Sequence, residues 1–220
     1  MSNIAIKGAT TGTGTFTIES PATNTDRTLT LPDEAGTVLT SAGAGTDYLT
    51  PTGDGSSLTG IVSGVTEVDI WVLTQDTGTV SADAQLNANI ARLTANGAGK
   101  LGTGMSWSSG VFTFPSTGIW SIQAHMKNQQ SGTGGTSNEY AYLDLRTTTD
   151  GSTYNSAASA QNSSLDGNDW SSCSVTFIFD VQNVSTHKVT FHVGSQDGVI
   201  VQGNASVLET GFVFTRLGDT

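Results

Sequence analysis

The sequence predicts an all-β protein whose C-terminal part is a β-sandwich or jelly roll. The first observation behind this is composition. Glycine supplies 27 of the 220 residues and charged residues only 12%, a balance that suits short strands and turns better than helices. The second observation is the repeated alternation of apolar and polar residues. Roughly nine or ten strand candidates, separated by turn residues, follow one another in about 150 residues, which is the density of a sandwich.

The clearest strand pattern lies in residues 110–126. Residues 111–114 are a β-branched and aromatic run, which favours a pleated backbone. Pro115 cannot donate a ladder hydrogen bond and Gly118 tolerates positive φ, so a turn is predicted between them. Every second residue from 120 to 126 is apolar. This period of two predicts a strand with one buried face and excludes a helix.

Similar alternation predicts the remaining strands. They are expected over residues 68–73, 140–146, 153–162, 173–181, 189–193 and 207–217. Residues 82–95 are ambiguous because Leu86, Ile90 and Leu93 have helical spacing. We expect a short helix or turn over 82–88, followed by a strand near 89–94.

Large apolar side chains on the predicted strands supply the expected core. Each contributes on the order of 1.5–3 kcal/mol when buried between two sheets. The residues predicted for the core or for packing between protomers are Phe112, Phe114, Trp120, Ile122, Phe177, Phe179, Phe191, Phe212 and Phe214.

Residues 1–66 form a separate region, and residues 67–220 are the predicted β domain. The N-terminal region is rich in glycine and threonine, and its apolar residues occur in small alternating clusters. It has too little apolar surface for a core of its own. Either it is a disordered tail, or its strands are buried against other chains in an extended shaft or attachment region. The residues predicted to pack in that second case are Phe16, Ile18, Leu29, Leu31 and Val38.

Two short motifs in this region resemble elements of bacteriophage fibre proteins. Residues 27–38, Arg-Thr-Leu-Thr-Leu-Pro-Asp-Glu-Ala-Gly-Thr-Val, are similar to an element that recurs in tail-fibre and related virion proteins. Residues 53–61, Gly-Asp-Gly-Ser-Ser-Leu-Thr-Gly-Ile, resemble a second element that precedes a distal domain in the same proteins. The resemblance implies a homotrimeric virion protein that contacts other phage structural proteins through its N-terminal region.

The β domain resembles the trimeric jelly rolls of the C1q/TNF-like class. The pattern Gly110-x-Phe-x-Phe-Pro-x-x-Gly-x-Trp120 is similar to the central pattern of that class, and residues 210–214 resemble its final Gly-Phe strand. The resemblance implies a homotrimer around a threefold axis. Trp120 and Ile122 depart from the usual aromatic pair, and Cys173 has no disulfide partner.

Charge and hydropathy exclude several partners. The formal charge of −11 and the isoelectric point near 4.3 argue against nucleic acid, whose phosphates require clustered Lys and Arg. No stretch approaches the roughly 18 consecutive apolar residues of a membrane helix. Residues 1–7 lack the apolar core of a signal peptide. We therefore expect synthesis in the host cytoplasm without export, no membrane insertion, and a final location on the virion.

Neither catalysis nor a cofactor is predicted. His125 and His192 lie on strands, and two histidines without a third ligand make a poor zinc site. Asp166, Asn168 and Asp169 form a turn cluster that lacks the ligand spacing of an EF-hand. A polysaccharide depolymerase would need two positioned acids, and no such pair stands out. Cys173 occupies an apolar position of a strand, which favours a buried thiol over a nucleophile.

Function is expected to reside in polar loops on the β scaffold. Amide and hydroxyl groups there can bind sugar hydroxyls, and aromatic rings can stack on sugars, although solvated turns explain the same composition. The residues predicted for contact with a host-surface glycan or protein are Asn128, Gln129, Gln130, Asn138, Tyr154, Asn168 and Trp170. The favoured function is a tail fibre or tail appendage for host attachment. The alternative is a capsid decoration or head-fibre protein without a receptor.

Overall fold

Alternating apolar residues build two antiparallel sheets that pack face to face in the C-terminal part of the chain. The computed structural model describes residues 11–14, 17, 22–26, 28, 64–130, 138–164 and 169–220. The chain divides into two units, Met1–Thr59 and Gly60–Thr220. The predicted domain boundary at residues 66 and 67 stays a prediction. The strands described below all belong to the second unit.

Every regular element of the described residues is a β-strand. In chain order they are β1 (Val68–Leu73), β2 (Thr79–Val80), β3 (Ala84–Gln85), β4 (Ile90–Arg92), β5 (Ser106–Ser108), β6 (Val111–Thr113), β7 (Gly118–Gln130), β8 (Asn138–Thr148), β9 (Asn155–Ser164), β10 (Trp170–Val181), β11 (Lys188–Ser195), β12 (Val199–Val201) and β13 (Gly211–Gly218).

The strand order is that of a jelly roll. The first sheet runs β2-β12-β7-β13-β1-β4, with β10 on the other side of β7. The second sheet runs β5-β6-β11-β8-β9, and β3 also pairs with β11. Between β6 and β13 the chain crosses repeatedly from one sheet to the other, and this crossing defines the jelly roll. The predicted all-β jelly-roll class is confirmed.

A cluster of aromatic rings joins the two sheets. Phe112 of the second sheet lies 5.4 Å from Trp71, 5.5 Å from Phe212 and 5.0 Å from Phe214, measured between ring centroids. All three partners belong to the first sheet. Phe191 stacks on Phe212 at 3.9 Å. Offset and edge-to-face contacts of this kind add to the free energy of area burial.

The structure places the residues predicted for the core between the sheets. All but one are at most 6% exposed, and Phe177 is half-buried and packs against the others. Phe177 lies on β10, and its ring centroid is 6.2 Å from that of Phe179. The other members of this core include Trp71 and aliphatic side chains of β1, β4, β7, β8, β10, β11 and β12.

The turn at Pro115 and Gly118 joins strands of different sheets. Gly118 has a φ of 138°, and a Cβ atom there would lie 2.5 Å from the carbonyl oxygen of Gly218. The chain therefore needs glycine to pass close to β13 as it crosses from one sheet to the other.

Residues 82–88 contain no helix, so that alternative is wrong. The Leu86 N–H donates to the Phe191 carbonyl of the second sheet at 2.9 Å. The Leu93 N–H donates to the Ile70 carbonyl of the first sheet, also at 2.9 Å. Because this segment bonds to both sheets in turn, its apolar spacing reflects short strands, and β4 lies within the strand predicted near 89–94.

One buried carboxylate fixes the edge of the first sheet. Asp69 is 1% exposed and accepts hydrogen bonds from the indole N–H of Trp71 at 2.8 Å and the Met105 N–H at 2.8 Å. Arg92 completes the site with two hydrogen bonds of 2.7 and 2.9 Å to the same carboxylate. Since both carboxylate oxygens accept hydrogen bonds and Arg92 supplies the opposite charge, the Asp69 charge is tolerated in the interior.

We expect Phe112→Ala to lower the free energy of unfolding by about 3–5 kcal/mol, because it leaves a cavity between the two sheets. Chemical denaturation followed by intrinsic fluorescence measures this. The control is Tyr140→Ala, which removes a side chain that is 41% exposed and should change stability by about 0.5 kcal/mol or less. Equal effects of the two substitutions would contradict the assigned core.

Candidate functional site

The two outward faces of the sandwich differ in charge. On the second sheet, Arg146 donates to Asp83 at 2.7 Å and to Asp144 at 2.7 Å. Tyr142 donates its hydroxyl to Asp83 at 3.0 Å, and His192 lies 3.2 Å from the same carboxylate. This outward face is therefore covered by a network of charged and hydrogen-bonded side chains.

The network shifts the pKa of its members. Burial acts to raise the pKa of Asp83, but the hydrogen bonds from Arg146 and Tyr142 lower it below its ordinary value. Burial and the bond to Asp83 raise the pKa of Tyr142 to about 12. Burial and the nearby Arg146 charge lower the pKa of His192. At neutral pH the network thus holds a carboxylate and a neutral imidazole beside a guanidinium, and these contacts fix the segment before β3 to the second sheet.

The outward face of the first sheet carries few charged side chains. Ten uncharged side chains from four adjacent strands form one continuous surface on it, and the charged side chains of Asp180, opposite Ile119, and of Lys127 lie on the same face outside that surface. We call this surface the uncharged face; its residues are Val68, Ile70, Ile119, Ser121, Gln123, Thr176, Ile178, Val213, Thr215 and Leu217. Ile178 is 52% exposed and Leu217 is 51% exposed.

The strand register brings these ten residues together. Ile178 lies opposite Ser121, which lies opposite Thr215. In the next row, Thr176 lies opposite Gln123, and Gln123 opposite Val213. Neighbouring rows on one face of a sheet are in contact range. The result is a continuous surface of aliphatic and small polar side chains on a chain with a formal charge of −11.

A groove lies at the far end of the same outward face. It is lined by the side chains of His125, Lys127, Trp170, Ser171 and Ser172 and has a volume of about 190 Å³. Trp170 is 53% exposed, and the Lys127 ammonium lies 3.8 Å from its ring centroid. Lys127 also forms an ion pair with Glu209 at 2.8 Å.

His125 and Ser174 form a hydrogen bond beside this groove. The imidazole Nδ1 lies 2.9 Å from the serine Oγ, which is the spacing of a nucleophile and its general base. Burial lowers the pKa of His125, so the ring is neutral near pH 7. In the part of the chain that the structure describes, no carboxylate orients this ring as a catalytic triad requires. The pair therefore links two neighbouring strands.

Within the described residues, the remaining metal-binding and nucleophilic side chains do not come together in one site. Within residues 64–130, 138–164 and 169–220, no three His, Cys, Asp or Glu side chains are grouped as metal ligands. Cys173 is half-buried against the core, with its Sγ 3.8 Å from the Ala160 carbonyl. Burial raises the pKa of this thiol to about 11.

Among the described residues there is no helix with the length and hydropathy needed to span a membrane.

The seven predicted surface contacts separate into four groups, one of which is the buried pair Asn128 and Gln130. Trp170 and Gln129 lie directly opposite each other on the outward face of the first sheet. Tyr154 is half-buried at the start of the β9 segment, where burial and the Asp150 charge raise its pKa. The side chain of Asn138 and the whole of Asn168 lie outside the described residues.

The structure contradicts the prediction that Asn128 and Gln130 contact a host surface. They are 0% and 5% exposed. β7 continues to Gln130, so residues 128 and 130 keep the inward direction of Trp120. Asn128 accepts a hydrogen bond from the Asn162 amide at 2.6 Å inside the sandwich.

Sequence reasoning missed two features of the first sheet. The groove needs Lys127 and His125, and the sequence pattern places both on the polar side of a strand without indicating a groove. The uncharged face was missed because its residues come from four strands that are distant in the chain. Pairing β1, β7, β10 and β13 in register would have revealed it, but the sequence does not give that register. The predicted N-terminal packing residues, Phe16, Ile18, Leu29, Leu31 and Val38, lie outside the described residues.

Comparison with known proteins gives a likeness of structure without a likeness of sequence. No protein-family model matches the chain, and no curated protein does. Murine APRIL at pH 8.0 is similar with 10% identity and a TM-score of 0.48, over 69% of this chain and 98% of that one. Eiger TNF from S. frugiperda is similar with 9% identity and a TM-score of 0.49, over 72% of this chain and 96% of that one. The jelly-roll assignment rests on the strand order described above.

We expect the Cys173 thiol to react slowly with iodoacetamide in the folded protein. A pKa of about 11 in place of the ordinary 9.0 lowers the thiolate fraction at pH 8 about a hundredfold. Alkylation followed by intact mass spectrometry measures the rate, with the urea-unfolded protein as the control. A folded rate equal to the unfolded rate would contradict the assigned environment.

Proposed function

We propose that this chain is a homotrimeric bacteriophage virion protein that contributes to host-surface attachment. The observation that carries the trimer is the uncharged face. The motifs at residues 27–38 and 53–61 support the virion role, since both resemble elements of phage fibre proteins. The proposed role is binding and structural.

The uncharged face is suited to contact with another copy of the chain. Copies of a chain with a formal charge of −11 repel one another, and a contact through a surface without carboxylates adds least to that repulsion. The uncharged face exposes Ile178 on its edge strand β10 and Leu217 near the end of β13. Depletion of charged residues is characteristic of the buried part of protein interfaces.

The opposite face is less suited to self-association. Arg146, Asp83, Asp144 and His192 are already paired with one another there. Burying this network against a second copy would remove its remaining solvation without supplying new partners. The second sheet is therefore proposed to face solvent in the trimer.

A trimer explains how weak surface contacts become useful for attachment. Three copies present each recognition surface three times, which multiplies weak affinities when the target is repetitive. The N-terminal region, including the predicted packing residues Phe16 and Leu29, is proposed to join the particle. The jelly roll is proposed to project outward.

We expect Ile178→Asp to weaken trimer formation at least tenfold, because it places three additional carboxylates in the contact between copies. Sedimentation velocity over a dilution series measures this. The wild-type protein is expected to sediment as three copies of the 22.6 kDa chain.

The matched control for this experiment is Val207→Asp, since Val207 is 48% exposed and lies off the uncharged face. Circular dichroism confirms that both variants are folded. A monomeric wild-type protein would overturn the trimer, and unchanged assembly of Ile178→Asp would overturn the assigned face.

We expect antibody against this chain to label the tail in negative-stain images of virions. We also expect the purified trimer to compete with virions for adsorption to host cells. Labelling confined to the head would support the capsid decoration alternative. Absence of competition at saturating protein would contradict the attachment role.

A further inference from the structure

Trp170 is an exposed aromatic side chain with a well-defined position. It is 53% exposed, whereas Trp71 and Trp120 are 8% and 0% exposed. Large apolar side chains at the surface are ordinary when isolated, but this ring borders the groove of about 190 Å³ described above. Ring and groove together form a surface with one apolar wall and several polar groups.

Two contacts fix the ring before any ligand arrives. The Lys127 ammonium lies 3.8 Å from the indole centroid, a cation–π contact. The same ammonium is anchored by Glu209 Oε1 at 2.8 Å. A side chain that is already ordered loses little conformational entropy on binding, so the indole is preorganised as a platform.

The polar groups beside the ring are hydroxyl, amide and imidazole groups. Ser172 contributes a hydroxyl, and Gln129 lies opposite Trp170 on the same outward face. The His125 imidazole is neutral near pH 7 because burial lowers its pKa, and it bonds to Ser174 at 2.9 Å. Such groups both donate and accept hydrogen bonds, as sugar hydroxyls require.

The electrostatic surroundings favour an uncharged ligand. Lys127 is the cation of the groove, and the Glu209 carboxylate balances its charge. The chain as a whole carries a formal charge of −11, which repels sialic and uronic acids at long range. A neutral sugar avoids this repulsion and still meets an apolar wall and hydrogen-bonding groups.

We propose that this groove binds a neutral hexose or N-acetylhexosamine residue of a surface glycan. The C–H face of the pyranose packs on the face of the Trp170 indole that lies opposite the Lys127 ammonium. Its hydroxyls bond to Ser172, Gln129 and the Lys127 ammonium. The inference rests on the proposed host attachment and names the ligand class for it.

The groove remains accessible in the proposed trimer. Trp170 and Ile178 are eight residues apart on β10, which corresponds to about 26 Å along a strand. On β10 the proposed contact between copies and the proposed sugar site lie at opposite ends, whereas on β7 they are adjacent at Gln123 and His125, so the Trp170 end is the part of the groove that stays open. Three grooves per trimer provide the avidity that a single small site lacks.

The test is a glycan array that carries neutral hexose-terminated, N-acetylhexosamine-terminated and acidic oligosaccharides, probed with the full-length trimer. We expect binding to neutral glycans, and at least a tenfold loss with Trp170→Ala. Tyr140→Ala is the matched control, because it removes another exposed aromatic side chain, 41% exposed, from the opposite sheet. Bound glycan should also protect the wild-type tryptophan fluorescence from acrylamide quenching.

Several results would overturn the sugar site. They are the absence of binding to any neutral glycan, binding confined to acidic glycans, and equal binding by Trp170→Ala and wild type. Adsorption competition separates this inference from the attachment role. If Trp170→Ala competes with virions as well as wild type does, attachment stands and the groove is excluded. If the wild-type protein binds neutral glycans but does not compete with virions for adsorption, the sugar site is supported and the attachment role is contradicted.

Discussion

The contact of Phe112 with the first sheet is the interaction on which the rest of the structure depends. Phe112 comes from the second sheet and touches Trp71, Phe212 and Phe214 of the first. Because these rings use the inward faces of both sheets, the outward faces are left for contact with other molecules, together with the edges and loops. One outward face is covered by paired charges, and the other carries the continuous uncharged surface formed by β1, β7, β10 and β13. The functional proposals follow from that difference.

The alternation of side chains allowed much of the sandwich to be predicted. The period of two from Trp120 to Met126 identified β7 and its buried face, since successive side chains on a strand point to opposite faces. The same parity places Asn128 and Gln130 inward, eight and ten residues after Trp120. Their polarity instead suggested an exposed loop. Here the alternation of inward and outward side chains along the strand is a better guide to burial than polarity. Buried amides are tolerated where they bond to each other, as Asn128 and Asn162 do.

Other features depend on pairings that are distant in the chain. The segment of Leu86 to Leu93 looks helical by spacing, yet its N–H groups bond to Phe191 and Ile70 of different sheets. The uncharged face combines strands from residue 68 to residue 217. Local propensity carries no information on such register, so neither feature could be derived from the sequence alone. Residue type alone identifies Trp170 as a candidate contact residue. Only the structure shows that Lys127 holds its ring in place.

The central claim is that the uncharged face is covered by another copy of the chain. Hydroxyl-radical footprinting tests this most directly, with each residue's oxidation in the native protein normalised to that in the unfolded protein. Ile178 and Leu217 have exposures of 52% and 51% in the isolated chain, close to 48% for Val207. We expect Ile178 and Leu217 to be strongly protected in the assembled protein while Val207 is oxidised freely. Equal oxidation of all three residues would contradict the account.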